Sequence, residues 1–189
     1  MVNKLIPVAI CYDFDGTLSP GNMQEYGFIK KLGITAREFW DRSNTLAKDE
    51  KADDILAYMK VTIDEAKKRN LSVTREDFME YGRNIELYKG VKTWFDRINK
   101  YARSKGVEIQ HYIISSGLKE MLEGSPIASK FTEIFASSIV TFMYAKISSA
   151  FFIFAKVFDL SQNSLGVIPS SLINPYSCIF PGDNVPSKS

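Results

Sequence analysis

Two aspartates two positions apart, Asp13 and Asp15, followed at once by Gly16, Thr17 and Leu18, are the residues of this chain best suited to chemistry. Residues i and i+2 of an extended backbone lie on one side, so both carboxylates can face one site. Such a pair offers hard oxygen donors to a divalent cation and the groups needed for acid–base work. Gly16 can take a backbone conformation closed to other residues, which lets the chain curl around whatever the carboxylates hold. Asp-Gly is also a hairpin signal, but a hairpin has no need of a second aspartate two positions earlier or of Thr-Leu directly after. A calcium loop is excluded, because it requires a third acidic or amide residue and a later glutamate.

The element that must position this pair precedes it. Ile6 to Tyr12 is an apolar run with the β-formers Val8, Ile10 and Tyr12, and it predicts a buried strand. Ligands of open α/β sheets collect at the carboxyl ends of strands, where this strand delivers its aspartates. A second strand is expected from Val107 to Ile114, ending in Ser115-Ser116-Gly117. A hydroxyl there can donate to a phosphoryl oxygen, and the backbone N–H groups of Ser116 and Gly117 near a helix start can add to it. Ser115 follows the last apolar strand residue directly and is the first choice, with Ser116 the alternative. A strand, a helical crossover and a second strand imply parallel pairing with a right-handed connection.

Between the two strands the periodicity is helical. Met23, Tyr26 and Ile29 share a face, and Gly33 stops that helix. Thr35-Ala36-Arg37-Glu38 is a capping box for a helix carrying Phe39 and Trp40, and Ile55, Leu56, Met59, Ile63 and Ala66 mark the next, with Asn70 as its stop. Thr74 to Asp77 starts a fourth helix carrying Phe78. Aromatics at helical spacing predict core rather than a ligand pocket. Val91, Trp94, Phe95, Ile98, Tyr101 and Ala102 then form the clearest amphipathic stripe in the chain, closed by Gly106. His111, the only histidine, lies on the second strand, where a structural role is expected.

Asp13-Phe14-Asp15-Gly16-Thr17-Leu18 at the end of an N-terminal strand resembles the first motif of the haloacid dehalogenase (HAD) superfamily of phosphohydrolases. The layout is closest to the phosphoserine-phosphatase-like branch, and Ser115-Ser116-Gly117 resembles the second motif. The resemblance covers residues 5 to about 140. It implies an α/β fold, a Rossmann-like parallel sheet core (1–19 and 88–145) with an inserted α-helical cap (20–87). It implies that Asp13 attacks phosphorus to form an aspartyl-phosphate. Asp15 would then protonate the leaving oxygen and activate the hydrolytic water. It further implies Mg2+ between Asp13, the backbone carbonyl of Asp15 and a later acid, with a small phosphorylated metabolite as substrate. The acids alone leave a dehalogenase, or phosphoryl transfer to another acceptor, open.

The resembled family also needs a lysine beside the phosphate and an acid that completes the metal shell, both after Ser115. The best candidates are Lys156, with Lys146 behind it, and Asp183 in Phe180-Pro181-Gly182-Asp183-Asn184. Pro181 sits where a strand residue should donate a hydrogen bond, and no second aspartate follows. Only five of the chain's 24 basic and 22 acidic side chains lie from Lys146 onward. Residues 146–189 are therefore expected to be atypical, as a shifted reading frame or a truncated product would leave them. Phe131 to about Tyr144 can still supply a third core strand and its entry. The alternative function is a catalytically impaired HAD-like protein acting at most as a binding module.

With 189 residues, 45% of them hydrophobic, the chain can bury a real core, and a net charge of +2 without a basic run gives no indication of nucleic acid or an anionic membrane as partner. Cys11 and Cys178 form neither a metal pattern nor a disulfide framework, and Cys11 is expected to be a small buried thiol. Lys4 precedes only a short apolar run, so no signal peptide is read and a cytoplasmic setting is expected. Ile134–Ala145 and Ile147–Ala155 are each too short to span a bilayer.

Overall fold

The computed structural model describes residues 4–140, 142 and the short strand at 167–168. Its sheet has the order β3-β2-β1-β4. Strand β1, Ile6–Tyr12, runs parallel to β2, Val107–Leu118, in the register Ile6↔Val107 to Tyr12↔Ile113. Strand β3, Glu133–Ser137, is parallel to β2 on its other side. The fold is therefore α/β with three parallel strands. β4, Val167–Ile168, pairs antiparallel with β1 at Ala9 and Ile10, a departure from the all-parallel sheet expected.

Between β1 and β2 a 3₁₀ turn, Met23–Tyr26, is followed by five helices, the first four being α1 (Phe28–Leu32), α2 (Ala36–Glu50), α3 (Asp54–Lys68) and α4 (Arg75–Gly82). Their start signals work as the sequence indicates. The Thr35 hydroxyl accepts from the Glu38 N–H at 3.1 Å while the Glu38 carboxylate accepts from the Thr35 N–H at 2.9 Å, and Thr74 and Asp77 repeat the exchange. Each such cap contributes about 1 kcal/mol. Gly33, at φ 70°, closes α1 in the left-handed conformation.

Phe28, Phe39 and Phe78, all buried, bind α1, α2 and α4 into one aromatic cluster, with the Phe28 ring 5.3 Å from that of Phe78 and 6.4 Å from that of Phe39. Each such ring stabilises the cluster by about 2–3 kcal/mol through burial. Trp40 is half-buried and packs edge-on to Phe39. Helix α4 also docks on α6, Lys119–Gly124, the helix that follows β2. Glycines make that seam: a Cβ on Gly82 would overlap the Met121 carbonyl, and one on Gly124 the Met79 carbonyl.

Helix α5, Val91–Ser104, covers the sheet with Val91, Phe95 and Ala102 buried. Tyr101, expected on that stripe, is 61% exposed. Ten residues from Val91 at 100° each leave it roughly 80° round the helix, on the flank. Strand β2 outruns its expected end at Ile114 by four residues, through an irregularity between Ser115 and Leu118. β3, Glu133–Ser137, lies within the stretch from Phe131 to about Tyr144 expected to hold a third core strand and its entry. At its end the Glu120 carboxylate accepts from the Ser138 hydroxyl at 2.5 Å and the Ile139 N–H at 3.3 Å, which turns the chain into helical backbone. Cys11 is half-buried rather than fully buried, and burial raises its thiol pKa. Among the described residues no helix is long and apolar enough to cross a membrane.

Candidate active site

The sharp turn after β1 is built on the Phe14 carbonyl, which accepts from the N–H groups of Leu18 at 2.8 Å and Ser19 at 3.1 Å. Gly16 takes φ 77° and donates its N–H to the Ser19 carbonyl at 2.7 Å, the conformation for which a glycine was expected. Phe14 is fully buried and anchors the turn, while Asp13 is exposed and Asp15 half-buried. Asp13 is held lightly, its Oδ2 accepting from the Thr17 hydroxyl at 3.3 Å. Asp15 Oδ1 accepts from the Met23 N–H at 3.0 Å.

The environment changes the acidity of Asp15. Burial pushes its carboxyl up from 3.8 to about 7, and the nearby charges of Asp13 and Glu25 add to the rise against the opposing Met23 hydrogen bond. A carboxyl poised near neutrality is half protonated there and can both give and take a proton. Glu25 is fixed in place by the Trp40 indole N–H at 2.9 Å and the Asn22 amide at 2.8 Å.

The serines of the second motif take different places. The β1–β2 register ends at Tyr12↔Ile113, before Asp13 and Ser115. Ser116 lies inside the irregularity between Ser115 and Leu118, so strand alternation does not assign its side. Phe14 and Ser115 are buried, whereas Ser116 is half-buried. The Gly117 N–H, expected to face a phosphoryl oxygen, donates instead to the Ser115 hydroxyl oxygen at 3.0 Å, a local competition that short hydroxyl side chains often win. Lys146, Lys156 and Asp183 lie outside the described residues.

The site also contains residues that the sequence does not announce. The Tyr58 hydroxyl, from α3, donates to the Ser116 carbonyl at 2.7 Å; burial and the charges of Asp15 and Glu120 hold its pKa far above the usual phenol value. Met23 and Gln24 begin the 3₁₀ turn Met23–Tyr26 and are both buried. Helical spacing marks Met23 only as a core residue beside Tyr26 and Ile29, and nothing marks Gln24 or Tyr58, since each acts through a contact that exists only once the helices fold back onto the loops.

A hard cation fits this donor set in kind. Two carboxylates stand close enough for the charge of Asp13 to raise the pKa of Asp15, and Mg2+ is commonly held by one or two carboxylates together with water and substrate phosphate. No cluster of three or more side chains able to hold a metal occurs among the described residues.

No family model matches the chain. A Borreliella burgdorferi protein whose own function is uncharacterized is 28% identical over 147 residues, 70% of this chain, and the chain spans 50% of that relative's length. Among solved structures, a HAD family hydrolase from Salmonella enterica serovar Typhi pairs with 70% of this chain and 42% of its own, at 17% identity and a TM-score of 0.47. An L-2-haloacid dehalogenase from Xanthobacter autotrophicus pairs with 68% of this chain and 56% of its own, at 12% identity and a TM-score of 0.37. A predicted phosphoglycolate phosphatase from Haemophilus somnus covers 77% of this chain and 71% of its own, at 15% identity and a TM-score of 0.29. Likeness at this level says nothing of chemistry, which has to come from the side chains at the site.

Proposed function

We propose that the chain is a HAD-superfamily hydrolase of the phosphoserine-phosphatase-like branch, cleaving a small phosphorylated metabolite in the cytoplasm through an aspartyl-phosphate intermediate. One observation carries this reading: an exposed, lightly held carboxylate at Asp13 stands beside a second carboxyl, Asp15, poised near neutral pH by its surroundings. That is a nucleophile next to an acid–base group, at the carboxyl end of a central parallel strand.

In the first step an Asp13 oxygen attacks phosphorus, the bond from phosphorus to the ester oxygen breaks, and Asp15 gives its proton to that oxygen. In the second, water attacks phosphorus, Asp15 takes a proton from it, and the bond from phosphorus to Asp13 breaks to release inorganic phosphate. Mg2+, held by the Asp13 carboxylate and the Asp15 carbonyl, would supply the positive charge that lets one anion approach another. Ser115 is buried and Ser116 half-buried, so Ser116 is the more accessible of the two to a phosphoryl oxygen. Lys156 and Asp183 remain the candidates for the phosphate lysine and the third metal ligand.

Catalytic impairment is the second reading, favoured by the antiparallel strand β4 on the edge of β1 opposite β2, where the expected sheet is all parallel. Purified chain with Mg2+ and p-nitrophenyl phosphate decides between the two. Turnover that falls on the order of 10³-fold or more in Asp13→Asn supports the enzyme, and equal background rates for the two proteins support the impaired form.

A further inference from the structure

Two side chains from the helical segment grip the backbone on either side of Gly117. Tyr58, 6% exposed, donates its hydroxyl to the Ser116 carbonyl at 2.7 Å. Met23, fully buried, accepts the Leu118 N–H on its sulfur at 3.2 Å. Its thioether fills the space that any side chain at position 117 would need: a Cβ there would overlap both Sδ and Cε. The same residue donates its backbone N–H to Asp15 Oδ1 at 3.0 Å. Met23 thus touches both halves of the site at once, the acid through its main chain and the serine loop through its side chain.

We propose that Met23 and Tyr58 are positioning residues that set the 116–118 loop against the Asp13–Asp15 pair. The inference rests on the phosphohydrolase reading above, since it assigns that loop to the phosphoryl group. Leu118 is itself fully buried, so its N–H has no access to bulk water in exchange for the sulfur. A thioether is a weak acceptor but a long, unbranched and adaptable one, able to lie flat on Gly117 and still reach the next N–H. The close contact at 117 is with the end of this side chain, so a methyl group there would push Met23 aside. Gln24, the next residue, is 2% exposed and its amide lies against the Tyr58 hydroxyl, extending the same contact. Placement matters here because an error of about 1 Å between reacting groups costs on the order of 10²-fold in rate.

The test uses the whole chain with Mg2+, p-nitrophenyl phosphate as substrate and inorganic phosphate as competing ligand. Met23→Leu keeps the N–H on Asp15 and nearly the same volume but removes the acceptor for Leu118. It should raise KM and the inhibition constant of phosphate on the order of 10-fold, with kcat falling less. Tyr58→Phe keeps the ring, and the half-buried Ser116 carbonyl can turn to water, so a rise of about 3-fold is expected. Gly117→Ala should weaken phosphate binding strongly, and Met23→Ala in the same chain should restore part of it by making room for the new methyl group. A purely structural contact would lower the thermal midpoint without separating KM from kcat and without that rescue. Phosphate affinity unchanged in Met23→Leu and Tyr58→Phe, in a wild type that binds phosphate, overturns the inference and leaves the proposed function standing. A wild type that neither binds phosphate nor hydrolyses the ester overturns both.

Discussion

Tyr12 and Asp13 are neighbours in the chain, and their polar groups meet opposite fates. Tyr12 belongs to a closed series: the Trp94 indole N–H donates to the Tyr12 oxygen at 3.0 Å, the Tyr12 hydroxyl meets His111 Nδ1 at 2.9 Å, and His111 Nε2 meets Asn99 Oδ1 at 3.0 Å. Read in one direction, donors and acceptors match throughout with a neutral imidazole protonated on Nε2. Phe95 and Phe131 pack their rings edge-on around it. One residue further on, Asp13 has a single long hydrogen bond at 3.3 Å and stands exposed. A saturated polar network holds structure, whereas carboxylates left short of partners at a strand end are available to a ligand. The contrast separates what keeps β1 in place from what β1 presents.

Breaking the open side should cost activity and little stability. Asp13→Asn removes the nucleophile and should abolish detectable turnover while leaving the thermal midpoint unchanged. Asp15→Asn should lower turnover of an alkyl phosphate by about 10²–10⁴-fold. With p-nitrophenyl phosphate the loss should be smaller, because that leaving group departs without a proton. The same variant should gain stability. The folded pKa of Asp15 is raised, so its contribution is fully present below 3.8 and lost as pH rises through about 7. In metal-free buffer at pH 8, Asp15→Asn should therefore be more stable to urea than wild type by up to about 4 kcal/mol, and at pH 4 the advantage should nearly vanish.

Breaking the closed side should do the reverse. Tyr12→Phe leaves the Trp94 N–H and the His111 ring short of a partner, at a cost of about 2 kcal/mol measured by urea unfolding, with turnover within about 3-fold of wild type. Burial lowers the His111 pKa, so the stability associated with its neutral ring is present above about 6.5 and lost as pH falls through the folded value. The smallest effect belongs to Thr17→Val, which removes the 3.3 Å contact to Asp13 and should change kcat by no more than about 3-fold.

The legibility of these features in the sequence follows how local each signal is. The capping box at Thr35, the helix start at Thr74, the turn glycine at 16 and the helix stop at Gly33 are written in a few adjacent residues, and each is found as expected. The strand before Asp13 has its expected bounds, but only Ala9 and Tyr12 are buried, not the buried run the apolar sequence indicates. Tyr101 shows the limit of a periodic signal, since a residue on the flank of a stripe satisfies the count while facing water. The irregularity that extends β2 through Ser115–Leu118 depends on partners in β3 and on Met23. No local pattern therefore distinguishes the side of Ser115 from that of Ser116. Met23, Gln24 and Tyr58 enter the site through contacts across long stretches of chain, and the sequence marks them only as ordinary helix residues.

Rapid acid quenching of the reaction with p-nitrophenyl phosphate and Mg2+, followed by peptide mass analysis, tests the central claim most directly. The account predicts a phosphoryl group on the peptide that carries Asp13, forming before inorganic phosphate appears and absent in Asp13→Asn. Phosphate release from a chain whose Asp13 peptide stays unmodified at every time point, with Asp13→Asn equally active, would contradict it.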